Sequence, residues 1–326
     1  MTWVIWRQYR VTTAIAVAIL AAFAVVLLIT GLQDATRWHN ALASCGKTNT
    51  CGTLAQTVSL GSGPVNTLVV LTLIVPILFG MFGGGPAVAR ERETGTMQYA
   101  WTQSVTRWHW LSAKAGWLLL AGAVFGGLVA GIVTWWSGPV NALNQGQFQP
   151  GSFDVQGIVP IGYAVFAVAL GIAAGALIGR SLPALAVTGG VFLALRLIVT
   201  YWVREHFMPA VTTVYSVTRN LSLNGATWTL AQGTVLPSGQ FTTNLSVGPG
   251  HVVSGPTGPQ VPAACQAATS INATITCMAR LGYHSFATYQ PGYRFWPFQF
   301  IETGTFVALA AALIAVTFLV VRRRDA

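Results

Sequence analysis

The sequence predicts an all-α polytopic membrane protein: six transmembrane helices, both termini cytoplasmic, and a large extracellular loop between helices 5 and 6. Three observations predict it. Only 7% of the 326 residues are charged and 53% are hydrophobic, whereas a soluble domain carries roughly a quarter charged residues; the mean hydropathy is +0.61. Six apolar runs are long enough for a helix across a hydrocarbon core, which needs about 20 residues. Basic residues crowd the ends of these runs, in the short connections where the positive-inside rule puts them.

The first run, 11–32, follows Trp3, Trp6, Arg7, Tyr9 and Arg10. It is too long for a signal-peptide core and lacks a convincing cleavage site, so it is read as retained, with the aromatics as interface anchors. The second, 66–89, contains Pro76 and Gly83-Gly84-Gly85-Pro86. Freed backbone groups there need partners, which reads as a kink or as a hinge feeding the charged segment beyond it. The third, 114–136, and the fourth, 157–179, carry glycines at four-residue spacing: Gly122 and Gly126, Gly127 and Gly131, then Gly171, Gly175 and Gly179. Such faces let helices approach closely, within the bundle or between two chains.

The fifth run, 184–203, contains Arg196. A charge in mid-span costs at least roughly 2.5–3.5 kcal/mol on insertion scales, so it snorkels to the outer surface or faces protein or water. Its functional reading is a lining of a translocation route; Glu302 and Glu205 are the acidic partners within reach of that end. Trp135, Trp136, Tyr201 and Trp202 read as outer interface anchors. The sixth run, 302–321, ends in Arg322, Arg323 and Arg324. An even number of spans puts both termini on one side, and the charges make that side the cytoplasm.

Residues 204–301 form the outer loop, rich in Thr, Ser, Gly, Asn and Pro, with short strand-like or irregular stretches such as 211–217 and 227–230. Its aromatic end, 289–300, is expected in the outer interface. The four cysteines fall in outer connections, Cys45 and Cys51 in the first and Cys265 and Cys277 in the last. Three pairings are possible, and the spacings favour Cys45 with Cys51 and Cys265 with Cys277 as disulfides of an oxidising space. A metal site is disfavoured, because no CxxC pair or histidine cluster lies beside them.

The net charge of +10 does not imply nucleic acid, since the basic residues form no long patch with interleaved aromatics. Gly46-Lys47-Thr48 ends like a phosphate-binding loop, but Ala41 stands where the pattern needs glycine. No catalytic constellation appears, and energy for any work has to come from another chain.

The densest charge is Arg90-Glu91-Arg92-Glu93, two of the chain's seven acidic residues alternating with two arginines. It opens a cytoplasmic segment, 90–113, that includes a short amphipathic stretch. A charged helix between two spans can carry a rigid-body push to both.

Three segments in order resemble the permease subunits of ABC-2-type ATP-binding cassette transporters, and more narrowly a high-GC Gram-positive (actinobacterial) branch. They are Trp6-Arg7-Gln8; Glu91 to Thr96 with Trp101-Thr102-Gln103-Ser104-Val105 and Lys114; and Tyr289-Gln290-Pro291 through Arg294-Phe295-Trp296-Pro297-Phe298-Gln299 and Glu302. The resemblance covers essentially the whole chain. It implies a single ABC-2-type transmembrane domain over 1–326, in the bacterial plasma membrane, paired with a second permease chain as a homodimer or heterodimer. A separate ATP-binding subunit would hold ATP and Mg2+, and this chain would bind no cofactor and be no enzyme. Glu91, Glu93, Gly95, Thr96, Gln98, Trp101, Gln103 and Ser104 would make the ATPase contact. The implied function is an exporter of an amphiphilic drug, antibiotic, peptide or lipid-like compound, a multidrug-resistance type of efflux; the alternative is a sensor or resistance module that signals through its ATPase without net transport. Membrane lipids are the remaining expected partner.

Overall fold

The computed structural model describes residues 17–33, 72–94, 107–138, 147–219, 227–254, 261–268 and 270–324, with residues 14, 35, 36 and 40. The chain divides into two compact units, Met1–Leu143 with Pro150–Arg204 and Trp296–Ala326, and Asn144–Gln149 with Glu205–Phe295.

The first unit is a helical bundle. Among the described residues, five helices are long and apolar enough to cross a membrane: α2 (Thr72–Glu93), α3 (Arg107–Trp136), α4 (Val159–Ile178), α5 (Ser181–His206) and α7 (Phe295–Arg324). A shorter apolar helix, α1 (Val17–Gln33), precedes them. The second to sixth expected runs overlap these five helices and the first overlaps the shorter α1; residues 11–13, 15, 16 and 66–71 of those runs lie outside the described residues. The charged residues expected to open a separate segment after 89 continue α2 to Glu93, and α3 begins at Arg107 rather than 114.

The bundle is built around α4. Its most apolar window is 78% buried, against 22–44% for the other four long helices. Each neighbour meets it differently. On α2, a side chain at Gly80 would stand 2.5 Å from the Ala167 carbonyl oxygen, and one at Gly84 2.6 Å from that of Val168. On α4, one at Gly175 would stand 2.5 Å from Gly85 O. Glycine is thus required on both sides of a backbone-to-backbone contact. On α3, a side chain at Gly126 would likewise meet backbone, 2.9 Å from the Pro160 carbonyl oxygen, whereas one at Gly122 would meet the Val168 side chain at 3.1 Å and one at Gly131 no heavy atom within 4 Å among the described residues. Phe192 of α5 stacks on Phe166, and Phe306 of α7 meets both Phe166 and Tyr163 edge-on. The four-residue glycine spacing is spent largely inside the chain.

Two helices widen into π turns: α2 at Gly80–Gly84 and α5 at Val199–Val203. The weakness expected around Pro76 and Gly83 is met in this way. Trp136, expected as an interface anchor, instead packs in a core cluster with Leu27, Val129, Val133 and Val155; Trp135, Tyr201 and Trp202 are exposed.

The second unit corrects the all-α expectation. It holds an antiparallel sheet in the order β1-β6-β2-β3, from β1 (Val211–Ser216), β2 (Trp228–Val235), β3 (Phe241–Thr242) and β6 (His284–Gln290). A hairpin joins β4 (Leu245–Gly248) to β5 (His251–Ser254). Helix α6 (Ile271–Arg280) starts at Ser270, whose Oγ accepts from Ala273 N at 3.2 Å, a standard N-cap. Val217, Leu245, Val247, Ile275 and Met278 form a core with Cys265. Cys265 and Cys277 are joined as a disulfide with Cα atoms 5.7 Å apart. Gln290 and Arg294 close the base of this unit: Gln290 Nε2 donates to Met208 O at 2.7 Å, and Arg294 Nη1 donates to Pro209 O at 2.6 Å and to Gln290 Oε1 at 2.8 Å. The run 289–300 is therefore split between a buried clasp and exposed aromatics, with Gln290 fully buried and Tyr293 76% exposed.

Candidate functional site

Two charged clusters stand on α4, one at each end. At its start, four charged side chains and a tyrosine are buried together. Arg204 donates from Nε to Glu302 Oε2 at 2.8 Å and from Nη2 to Glu302 Oε1 at 2.7 Å. The same Nη2 donates to Asp154 Oδ1. The Tyr163 hydroxyl donates to Glu302 Oε1 at 2.5 Å and lies 3.3 Å from Asp154 Oδ1. Arg196 donates from Nη2 to Asp154 Oδ2 at 3.3 Å and from Nη1 to the Leu73 carbonyl at 2.6 Å. Its guanidinium lies over the Tyr163 ring at 4.7 Å, and that of Arg204 over Phe153 at 4.5 Å. Two cations meet two anions, so the cluster carries no net charge. Breaking a pair of this kind strands its partner, at about 3–5 kcal/mol.

A π turn lies between the two arginines of α5. The buried residues of α5 recur every fourth position, at Ala184, Thr188, Phe192 and Arg196. In a straight α-helix each such step drifts by about 40°, so eight residues past Arg196 the face would have turned away by roughly 80°. The wider turn at Val199–Val203 takes up that angle. Thr200 and Arg204 stay on the Arg196 side, and both are buried.

Helix α7 supplies the opposite wall. Gln299 Oε1 accepts from Ile158 N and Val159 N, both at 2.9 Å, and its Nε2 donates to Phe153 O at 3.1 Å. It caps the start of α4 from a different helix. The chain enters α4 through Gly157 at φ +68°, where a side chain would stand 2.6 Å from Gln299 Oε1. Three residues on, Glu302 lies on the same face of α7. A narrow cleft beside the cluster is lined by Pro76, Phe79, Phe125 and Val129 together with Asp154, Tyr163 and Arg196. Among the described residues no group of three or more His, Cys, Asp or Glu could hold a metal ion.

The second cluster lies at the other end of α4, roughly 20 Å away along the helix. Lys114 of α3 donates to Glu91 Oε1 of α2 at 2.5 Å and stands 5.1 Å from the Trp110 ring centre. Lys114 is only 3% exposed. Arg92 donates to the Ala176 carbonyl near the end of α4. Glu93 accepts from Ser181 N at 2.8 Å and from Ser181 Oγ at 2.6 Å, at the start of α5.

A family model described as ABC-2 membrane transporter related matches residues 17–204, more than half of the chain. The chain belongs to that family. ABC-2 permeases are membrane components of ABC transporters and work in general with an ATP-binding subunit that carries the ATPase. No curated protein and no solved structure matches the chain.

For this ABC-2 family member, the sequence-predicted site residues are dispersed. Glu91 and Glu93 have partners inside the chain, on α3 and α5. Gly95, Thr96, Gln98, Trp101, Gln103 and Ser104 lie outside the described residues, as do Cys45 and Cys51. Arg196 is buried, so it does not reach the surface, and its acidic partner is Asp154, not Glu302 or Glu205. Glu302 pairs with Arg204 instead. Sequence reasoning missed Asp154, Tyr163 and Arg204. A signal existed for the first: an acidic residue just before a span is unusual where only seven occur in the chain.

Proposed function

We propose that this chain is the membrane-spanning half of an ATP-driven exporter that moves an amphiphilic compound outward across a bacterial plasma membrane. The observation that carries this reading is the family match over 17–204, which takes in α1 to α5 and the connection between α2 and α3. In this reading both termini and the 95–106 connection are cytoplasmic. Gly95, Thr96, Gln98, Trp101, Gln103 and Ser104 meet an ATP-binding subunit that holds ATP and Mg2+. A second permease chain, the same or different, completes the transporter. The long connection after α5 faces outward, where the Cys265–Cys277 bond suits an oxidising space; Cys45 and Cys51 pair there likewise.

Arg196 lines the cleft beside α2 and α3, which supports a place along the route, with its charge balanced by Asp154. The test is transport. Membranes holding the chain and its ATP-binding partner are made into inverted vesicles and offered a panel of labelled amphiphiles. ATP-dependent accumulation is expected; no accumulation of any of them, with an active ATPase, counts against export.

A second reading rests on a separate observation. The family match stops at residue 204, and the unit that follows has its own core. That unit suits a receiver for an external ligand, in a sensor whose ATPase signals without pumping. Ligand-stimulated ATP hydrolysis with no movement of the ligand selects this reading.

A further inference from the structure

We infer that Glu91, Arg92 and Glu93 are a three-way hub that joins the end of α2 to α3, α4 and α5, so that a push on the 95–106 connection moves four helices as one body. This rests on the reading that the connection meets an ATP-binding subunit. It reassigns Glu91 and Glu93 from contact residues to positioning residues.

The geometry carries it. Consecutive residues of a helix project about 100° apart and do not face one another. Here three consecutive residues each take a different neighbour: Glu91 takes Lys114 of α3 at 2.5 Å, Arg92 takes the Ala176 carbonyl of α4, and Glu93 takes Ser181 of α5 through both carboxylate oxygens. Every partner is charged or hydrogen-bonding, and every bond is a charge-assisted one. Lys114 is drawn into the protein to reach Glu91, with a side chain 4% exposed against 19% for the carboxylate. A lysine whose only task was to mark the cytoplasmic side would extend to water. Glu91 and Lys114 also stand on either side of residues 95–106, one near the end of α2 and the other in the second turn of α3. Their bond ties α2 to α3 across that connection. Below the hub, Val88 of α2, Leu111 and Ala115 of α3, and Ile172 of α4 share one apolar cluster, which gives the charged bonds a rigid footing.

The experiment has two parts. The first uses the full-length chain alone in lipid nanodiscs. Amide hydrogen exchange is followed in peptides covering 88–93 and 107–114, for wild type, Glu91→Gln, Lys114→Gln and the exchange of charges Glu91→Lys with Lys114→Glu. Either single change is expected to speed exchange at both ends of the connection by about tenfold, the effect of ~1.4 kcal/mol on local opening. The charge exchange is expected to reverse most of it. The second part uses the complex with the ATP-binding partner. Glu91→Gln is expected to change kcat for ATP hydrolysis at unchanged KM for ATP, with recovery in the charge-exchanged chain. Unchanged amide exchange, with loss of ATPase binding that the charge exchange does not rescue, overturns the hub and makes Glu91 a direct contact. Faster amide exchange with wild-type kcat also overturns it, leaving a bond that holds the fold and transmits nothing. If wild type itself binds no ATP-binding subunit, the permease reading falls whatever the amide exchange shows, and the two failures are distinguished.

Discussion

The two ends of α4 solve the same problem in opposite ways. At Tyr163, both cations and both anions are withdrawn from solvent, with Glu302 and Arg204 at 0% and 1% exposure. At Ala176, the pairs run from the buried Lys114 to the exposed Glu93, and each bond joins a different helix. A fully buried network is unaffected by salt and is lost only with large energetic cost. A graded one keeps part of its charge at the solvent while tying α2 to three helices. The first arrangement holds helices in place; in the proposed reading the second also moves them together.

Mutations that remove charge should separate the two. The largest effect is expected for Glu302→Ala, which leaves Arg204 buried beside Asp154 alone and should cost about 3–5 kcal/mol. Thermal unfolding in nanodiscs measures it, and a loss below ~1 kcal/mol would mean that the network does not hold the bundle. Arg196→Ala should cost less, about 1.5–3 kcal/mol, because Asp154 keeps Arg204. Arg196→Lys should recover only part of that, since one ammonium replaces a planar fork that now serves both Leu73 O and Asp154. Equal stability of the lysine variant and wild type would show that the fork is not needed. Lys114→Gln should cost about 1–2 kcal/mol, with an effect on ATPase coupling larger than that loss suggests. The smallest change is expected for Ser181→Ala. Its stability should be close to wild type, because Glu93 is exposed and keeps its bond from the Ser181 backbone N–H; a large loss would make the two ends alike.

The spans were legible because hydropathy reports the membrane directly. The central place of α4 was not. Lipid is as apolar as a protein core, so α7, with mean hydropathy 2.5, ranks above α4, with 2.3, yet is far less buried. The glycines carried that information, and their four-residue spacing marked the α2–α4 contact on one side. Arg196 stood out as a charge in mid-span, but its partner could not be read, because Asp154 arrives from a turn outside every apolar run. Arg204 read as the outer limit of the fifth span, since no residue pattern announces a π turn. The strands were legible only as short stretches: 211–217 reads as strand-like or irregular and holds β1, Val-Thr-Thr-Val-Tyr-Ser, whose β-branched threonines suit a strand, but nothing local shows that it pairs with β6 far along the chain.

The bond from Arg204 to Glu302 spans 98 residues of sequence, and this separation sets an order on how the protein is made. A ribosome adding about 5–20 residues each second needs on the order of 5–20 s to travel that distance. During that time α4 and α5 are already synthesised. Asp154 can meet Arg196 and Arg204, but one positive charge has no counterpart and the start of α4 has no Gln299 to cap it. The bundle is completed electrically by its last helix. A chain stopped before Trp296 leaves the ribosome with an uncompensated arginine among apolar helices, a charge that is costly to hold there.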